Sequence, residues 1–189
     1  MQKAEPFLEY LLSVLRFKKV EQYIPKNSII ADLGCGYQGN FLRHVSSKIK
    51  LGIGYDVSVS KKNLPKNVTL ISTNLNKKPN AKNNYYDCVA ALAVLEHVEN
   101  PEPFINNART ILKNGGRLII TTPHKKAKPI LEFLSLKLGL ISKEEILDHK
   151  NYFDETTLRR LLDSQRFKNI KIGTFEWGLN LFAVARKAN

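Results

Sequence analysis

The chain has 189 residues, 43% hydrophobic and 25% charged, a balance that excludes disordered and fibrous classes and suits one soluble globular domain over 1–189. No window reaches the roughly 20 apolar residues needed to cross a bilayer, the first residues carry no secretory pattern, and two distant cysteines, Cys35 and Cys88, exclude a disulfide framework and a CxxC metal pair. The net charge of +13 admits a polyanionic partner, yet the basic residues fall in scattered twos and threes without an aromatic-interleaved stripe, and abundant lysine and asparagine give a compositional explanation as well.

Phe7, Leu8, Leu11, Leu12, Leu15 and Val20 recur at helical spacing until Pro25, so 1–25 reads as a helical N-terminal segment. Ser28–Leu33 is a short apolar run ending in glycines, which predicts a buried strand. Phe41–Ile49 predicts a helix, Lys50–Tyr55 and Val68–Ser72 two strands, and the polar stretch Thr73–Asn84 with Pro79 a loop. Asp87–Leu92 is a fourth strand. Pro103–Leu112 is a helix, with Pro101 and Pro103 near its start and Gly115-Gly116 past its end, and Arg117–Thr122 is a fifth strand. Beyond Pro123, Ile130–Leu140 reads as a hydrophobic helix, and Thr156–Leu162 as a helix with Asp154 as a possible N-cap. Asn169–Phe175 and Leu179–Arg186 read as a hairpin around Gly178.

Apolar strands alternating with helices predict an α/β fold: a Rossmann-like three-layer sandwich, whose mostly parallel seven-stranded sheet ends in a C-terminal antiparallel hairpin. Residues 28–123 form the expected ligand-binding core. Residues 124–189 supply the remaining helices and the hairpin. The cytoplasm is the expected compartment, with both thiols reduced, and a monomer or homodimer the expected state.

Gly34, Gly36 and Gly39 follow a strand and precede a helix, which spells G-x-G-x-x-G, with Asp56 placed downstream for a ribose contact. Alone, that pattern suits a nicotinamide cofactor. Asp32 weighs against it: a pyrophosphate over this turn would lie close to a carboxylate, whereas a sulfonium and an ammonium would be attracted to one. The chain is also too short for a second nucleotide-binding half and a catalytic domain.

Four stretches in order then resemble the successive motifs of class I S-adenosylmethionine-dependent methyltransferases, in particular the type 11 group with ubiquinone- and menaquinone-biosynthesis-like enzymes. They are Asp32-Leu33-Gly34-Cys35-Gly36, Gly52-Ile53-Gly54-Tyr55-Asp56, Tyr86-Asp87-Cys88-Val89 leading to Val94-Leu95-Glu96-His97-Val98, and Leu112-Lys113-Asn114-Gly115-Gly116-Arg117-Leu118. The resemblance runs from about Ser28 to Pro123. It implies S-adenosyl-L-methionine as cofactor and S-adenosyl-L-homocysteine as product. It implies that Gly34, Cys35 and Gly36 approach the methionine part, that Asp32 holds its amino group and that Asp56 accepts from both ribose hydroxyls. Val57, Asn74, Leu75 and Leu92 complete the expected cofactor contacts. Asn74 stands where the family often has aspartate, and the final glycine comes one position late, at Gly39.

Methyl transfer needs a base only if the acceptor must lose a proton. The candidates are His97 after the fourth strand, His124 after the fifth, and His149 in the polar run Asp148–Phe153. For each the alternative is a surface or capping histidine. No Asn/Asp-Pro-Pro-Tyr/Phe motif follows the fourth strand, which disfavours methylation of base amino groups, and no metal-ligand spacing is visible. Leu131, Phe133, Leu134, Leu136, Leu138, Leu140 and Ile141 pack against the sheet or form a lid for a lipid-like or prenylated acceptor at a membrane surface, with help from Lys125, Lys126, Lys128 and Lys137, and the net charge keeps an anionic acceptor open. The leading expectation is a methyltransferase acting on a small-molecule, lipid or glycan-precursor acceptor. An RNA methyltransferase and a non-catalytic cofactor-binding module are the alternatives.

Overall fold

The computed structural model describes residues 7–77, 79–130 and 148–188. The expected hydrophobic helix Ile130–Leu140 falls, but for Ile130, outside the described residues. The first helix, α1 (Phe7–Glu21), ends before Pro25 as its pattern predicts. Five parallel strands follow: β1 (Ile29–Leu33), β2 (Leu51–Asp56), β3 (Val68–Ser72), β4 (Tyr86–Leu92) and β5 (Leu112–Pro123). Helix α2 (Asn40–Val45) and a 3-10 turn (Ser46–Lys48) join β1 to β2, so the predicted Phe41–Ile49 helix is shorter and tightens at its end. Helix α3 (Pro101–Ile111) joins β4 to β5. Helix α4 (Glu155–Ser164), β6 (Phe167–Phe175) and β7 (Asn180–Lys187) close the chain.

The sheet order is β3-β2-β1-β4-β5-β7-β6, with β7 antiparallel to both of its neighbours. Order reverses between β1 and β4, so a crevice opens above the carboxyl ends of these strands. Strand β5 begins earlier than its apolar run suggests. Leu112 already pairs with Tyr86, and the register then jumps so that Arg117 pairs with Cys88, which leaves Lys113–Gly116 as a bulge.

Each face of the sheet carries a core. Val20 of α1 and Ile24 after it, with Phe41, Leu42 and Val45 of α2, cover Ile30, Cys88, Ala90, Leu92 and Ile119. Phe104, Ile105, Ala108 and Ile111 of α3, with Leu158 and Leu162 of α4, cover Ala31, Leu33, Val89, Ala91, Leu118 and Ile120. Strand alternation sorts the residues between the two faces. Burying each such aliphatic side chain contributes about 1.5–3 kcal/mol. Helix α4 starts on a capping box: Asp154 accepts from the Thr157 amide at 2.8 Å, and Thr157 Oγ1 accepts from the Asp154 amide at 2.9 Å.

Candidate functional site

A cleft of about 390 Å³ lies at the switch point, within the size range of small-molecule sites. Gly34 and Gly36 form one wall, Asp56 and Val57 after β2 a second, and Asn74, Leu75 and Asn76 after β3 a third. Ala93, Val94, His97 and Val98 after β4, with Asp148, close the remaining side. A recess of about 60 Å³ adjoins it, sharing Leu75 and Asn76.

The turn after β1 depends on glycine. Gly34 has φ +80, and a Cβ there would stand 2.2 Å from Val94 Cγ2. Gly36 has φ +71 and open space where a Cβ would be, so its backbone faces the cleft bare. Asp56 locks this turn: its Oδ2 accepts from the Gly36 amide at 2.8 Å and its Oδ1 from the Val57 amide at 2.7 Å. Each oxygen retains a lone pair, so the carboxylate keeps capacity for two further donors. Asn74 Oδ1 accepts from the Asn76 amide at 2.9 Å, an Asx turn that spends half of its acceptor capacity.

Asp32 lies behind the cleft lining, 1% exposed, in register with Gly54 on one side and Ala90 on the other. Its Oδ1 has no hydrogen-bond partner. Burial first, and the charge of Asp56 second, push its carboxyl up to about 8. A buried acid with an unpaired oxygen fits a cationic group and opposes a pyrophosphate. The charged side chains of the described cleft lining agree, being Asp56, Asp148 and the titratable His97. The basic excess of the chain is therefore not expressed there.

Two residues expected at the cofactor turn inward. The Cys35 thiol is buried, within reach of the Gly36 carbonyl at 3.4 Å, and a Cβ at Gly54 would meet it at 2.7 Å. Burial and the Asp32 and Asp56 charges raise this thiol far above its ordinary range. Leu92 shares the core face with Cys88 and Ala90. Neither side chain lines the cleft.

The three histidines part company. His97 lines the cleft, and its Nδ1 is 3.1 Å from Asp148 Oδ2. The His149 ring meets it edge-on with centroids 4.8 Å apart, and His149 Nδ1 is 3.3 Å from Tyr152 Oη. Burial first, then the neighbouring His97, pull His149 down to about 4, with Asp148 opposing. His124 is 3% exposed and not part of the cleft lining. Its Nδ1 accepts from the Lys126 amide at 2.9 Å and its Nε2 is 3.2 Å from Glu155 Oε2, so both nitrogens have structural partners. The structure thus gives His124 the capping role rather than the rim role.

Sequence spacing shows no metal pattern, yet Glu96, His97 and His149 bring ligand-type atoms within 4.8 Å of one another. These groups are hydrogen-bonded within the fold. Glu96 is 1% exposed, accepts from Thr122 Oγ1 at 3.0 Å and is held above the usual carboxylate range chiefly by burial. Asn76, Ala93, Val94, Val98 and Asp148 were not anticipated.

Strand order, a cleft at the reversal, and a glycine turn locked by one acid and backed by another define a class I, Rossmann-like S-adenosylmethionine-dependent methyltransferase fold. The family model of a methyltransferase domain matches residues 7–172, and the chain belongs to that family. It is 29% identical over 161 residues to tRNA U34 carboxymethyltransferase of Ruthia magnifica, covering 78% of this chain and 48% of that protein. It is 28% identical over 131 residues to ubiquinone biosynthesis O-methyltransferase of Coxiella burnetii, covering 65% and 55%. The chain spans about half the length of these curated relatives. Among solved structures, phosphoethanolamine N-methyltransferase 2 of Haemonchus contortus, in complex with S-adenosyl-L-methionine, aligns with a TM-score of 0.69 at 15% identity, covering 99% of this chain and 54% of that one. Identity that low speaks for the fold alone. Among the described residues no helix is long and apolar enough to cross a membrane.

Proposed function

We propose that this chain binds S-adenosyl-L-methionine in the cleft and transfers its methyl group to a hydroxyl of a small acceptor. The observation that carries the reading is the acidic lining: a cleft in a +13 chain whose described charged side chains are Asp56, Asp148 and His97, backed by the unpartnered Asp32. When bound, the cofactor supplies an electrophilic methyl group and leaves as a neutral thioether. In this reading Asp32 takes the ammonium of the methionine part and the bare backbone at Gly34 and Gly36 lets that part approach. Asp56 receives the two ribose hydroxyls on the lone pairs left by the Gly36 and Val57 amides. Val57, Asn74 and Leu75 border the adenine. His97 takes the acceptor proton, which makes the oxygen the better nucleophile.

One relative, an O-methyltransferase of ubiquinone biosynthesis, supports methyl transfer to a hydroxyl, whereas the other is a carboxymethyltransferase of tRNA. An RNA acceptor is the second reading, favoured by the net charge. Calorimetric titration with S-adenosylhomocysteine and with NAD tests the cofactor, and tight NAD binding without a response to S-adenosylhomocysteine overturns the reading. Transfer of labelled methyl to a panel of phenols, aliphatic alcohols, amines and tRNA tests the acceptor, with methyl ethers expected. Methylation confined to tRNA, with binding that falls steeply as salt rises, selects the second reading.

A further inference from the structure

His97 and Asp148 are 51 residues apart in sequence, yet both border the cleft and their side chains meet at 3.1 Å. The backbone that carries Asp148 is pinned to the backbone that carries His97. The amides of Lys150 and Asn151 donate to the Glu96 carbonyl at 2.8 and 3.1 Å, and Asn151 Nδ2 donates to the Val98 carbonyl at 2.7 Å. Hydrogen bonds therefore tie residues 148–151 to the loop after β4.

We propose that Asp148 is a positioning residue for His97, holding its Nδ1–H so that Nε2 presents a lone pair to the acceptor; this rests on the reading in which His97 takes a hydroxyl proton. An ionised carboxylate only accepts, so the pair requires the proton on Nδ1 and leaves Nε2 as the basic nitrogen. The side chain of Asp148 is 60% exposed and that of His97 29%, and a pair so open to water adds little to stability. What it adds is orientation. The edge-on His149 ring limits rotation of His97 from the other side, and stays uncharged near neutral pH because it is held at about 4. The proton moves from the acceptor hydroxyl to His97 Nε2, the oxygen keeps the electron pair, and Asp148 takes no proton. Its charge offsets the imidazolium until that proton passes to solvent.

The charged and titratable groups around His97 come from four elements. Asp148 and His149 face it from the returning loop, and Glu96 neighbours it on its own loop. Arg16 of α1 acts through Glu96, and Asp56 lies across the cleft. Lys150 is drawn aside to Glu99 at 3.8 Å.

Asp148→Asn is the test, with Asp148→Glu as the conservative control. Long-range proton–nitrogen NMR of the cofactor-free protein reads the ring tautomers, and His97→Gln assigns the signal. The wild-type His97 is expected as the Nδ1–H form, with Asp148→Asn shifting it towards Nε2–H. In turnover, Asp148→Asn is expected to lower kcat roughly 10- to 100-fold, a part of what general acid–base catalysis supplies, with KM for S-adenosylmethionine unchanged. Asp148→Glu recovers part of kcat. A His97 tautomer indifferent to Asp148→Asn overturns the proposal whatever the acceptor is. Activity lost to a chelator and restored by a divalent cation also overturns it, since His97 would then be a ligand. A wild type that makes no methyl ether sinks the hydroxyl reading instead, and the tautomer readout separates the two failures.

Discussion

Replacing Asp32 by asparagine separates what this acid does for the empty protein from what it does for the cofactor. The folded carboxyl sits at about 8 against an ordinary 3.8, because burial and Asp56 disfavour its charge. Between those values the folded chain keeps a proton that the unfolded chain has lost, so stability falls as pH rises from about 4 to about 8. At about 1.4 kcal/mol per pH unit, the deficit at neutral pH is about 4 kcal/mol. The asparagine side chain never ionises, but it buries an amide whose unpaired groups cost about 1–3 kcal/mol. The net expectation is a ligand-free variant more stable by about 1–3 kcal/mol near neutrality, a rise in Tm of about 2–10 °C for a chain of this size. The gain shrinks towards acid pH, where both chains are neutral at this position.

Cofactor binding moves the other way. An ammonium beside Asp32 favours its ionised form, so complex formation near pH 7 releases roughly 0.9 proton, and affinity rises about tenfold per pH unit up to the pKa. The asparagine variant loses that slope and the charge-assisted bond, and binds about 10- to 100-fold more weakly. Differential scanning calorimetry reads the first half. Titration with S-adenosylhomocysteine in two buffers of different ionisation heat reads the second. Wild-type binding heat independent of the buffer, together with unchanged affinity in Asp32→Asn, would falsify the assignment of Asp32 to the amino group.

Two other expectations follow from the same turn. Asp56→Ala removes the anchor of the Gly36 amide together with the proposed ribose acceptor, and should weaken S-adenosylhomocysteine binding at least about tenfold, two charge-assisted bonds being at stake; unchanged affinity would show the ribose to lie elsewhere. Gly34→Ala places a methyl group 2.2 Å from Val94 Cγ2 at φ +80, and should destabilise the protein by about 1–3 kcal/mol in denaturant titration. Adding Val94→Ala relieves the clash but not the backbone, so a full return to wild-type stability would refute the account of strain.

The fold was readable because its signals are local. Glycines at 34 and 36 mark a turn by their backbone, Pro25 ends a helix, and Asp154 caps one through Thr157, three residues away. The site was readable where a carboxylate or glycine sits inside a strand–turn–helix pattern, as Asp32, Gly36 and Asp56 do. Leu92 and Cys35 stand near the motif in sequence with their side chains buried; the two-residue period of β4 sends Leu92 to the side of Cys88 and Ala90. His124 stands at the expected rim of β5, and only the return of Glu155 beside it reveals that its ring is occupied. Asp148 carries no local signal at all. It joins His97 because Asn151 and Lys150 dock on the loop after β4, a pairing set by the tertiary path.

The chain leaves the sheet after Pro123 and is gathered again at its root. His124 and Phe153 form a parallel bridge, and the Lys125 amide donates to the Phe153 carbonyl at 2.7 Å. The stretch between is therefore tied where it departs and where it returns. Lengthening a closed loop is thermodynamically mild, about 0.6 kcal/mol for each doubling. Such a neck makes the length of the interval it closes a weak variable for the stability of the sheet. Asp148 and His149 lie near its returning end, where the Lys150 and Asn151 amides on the Glu96 carbonyl hold the partner of His97 in place.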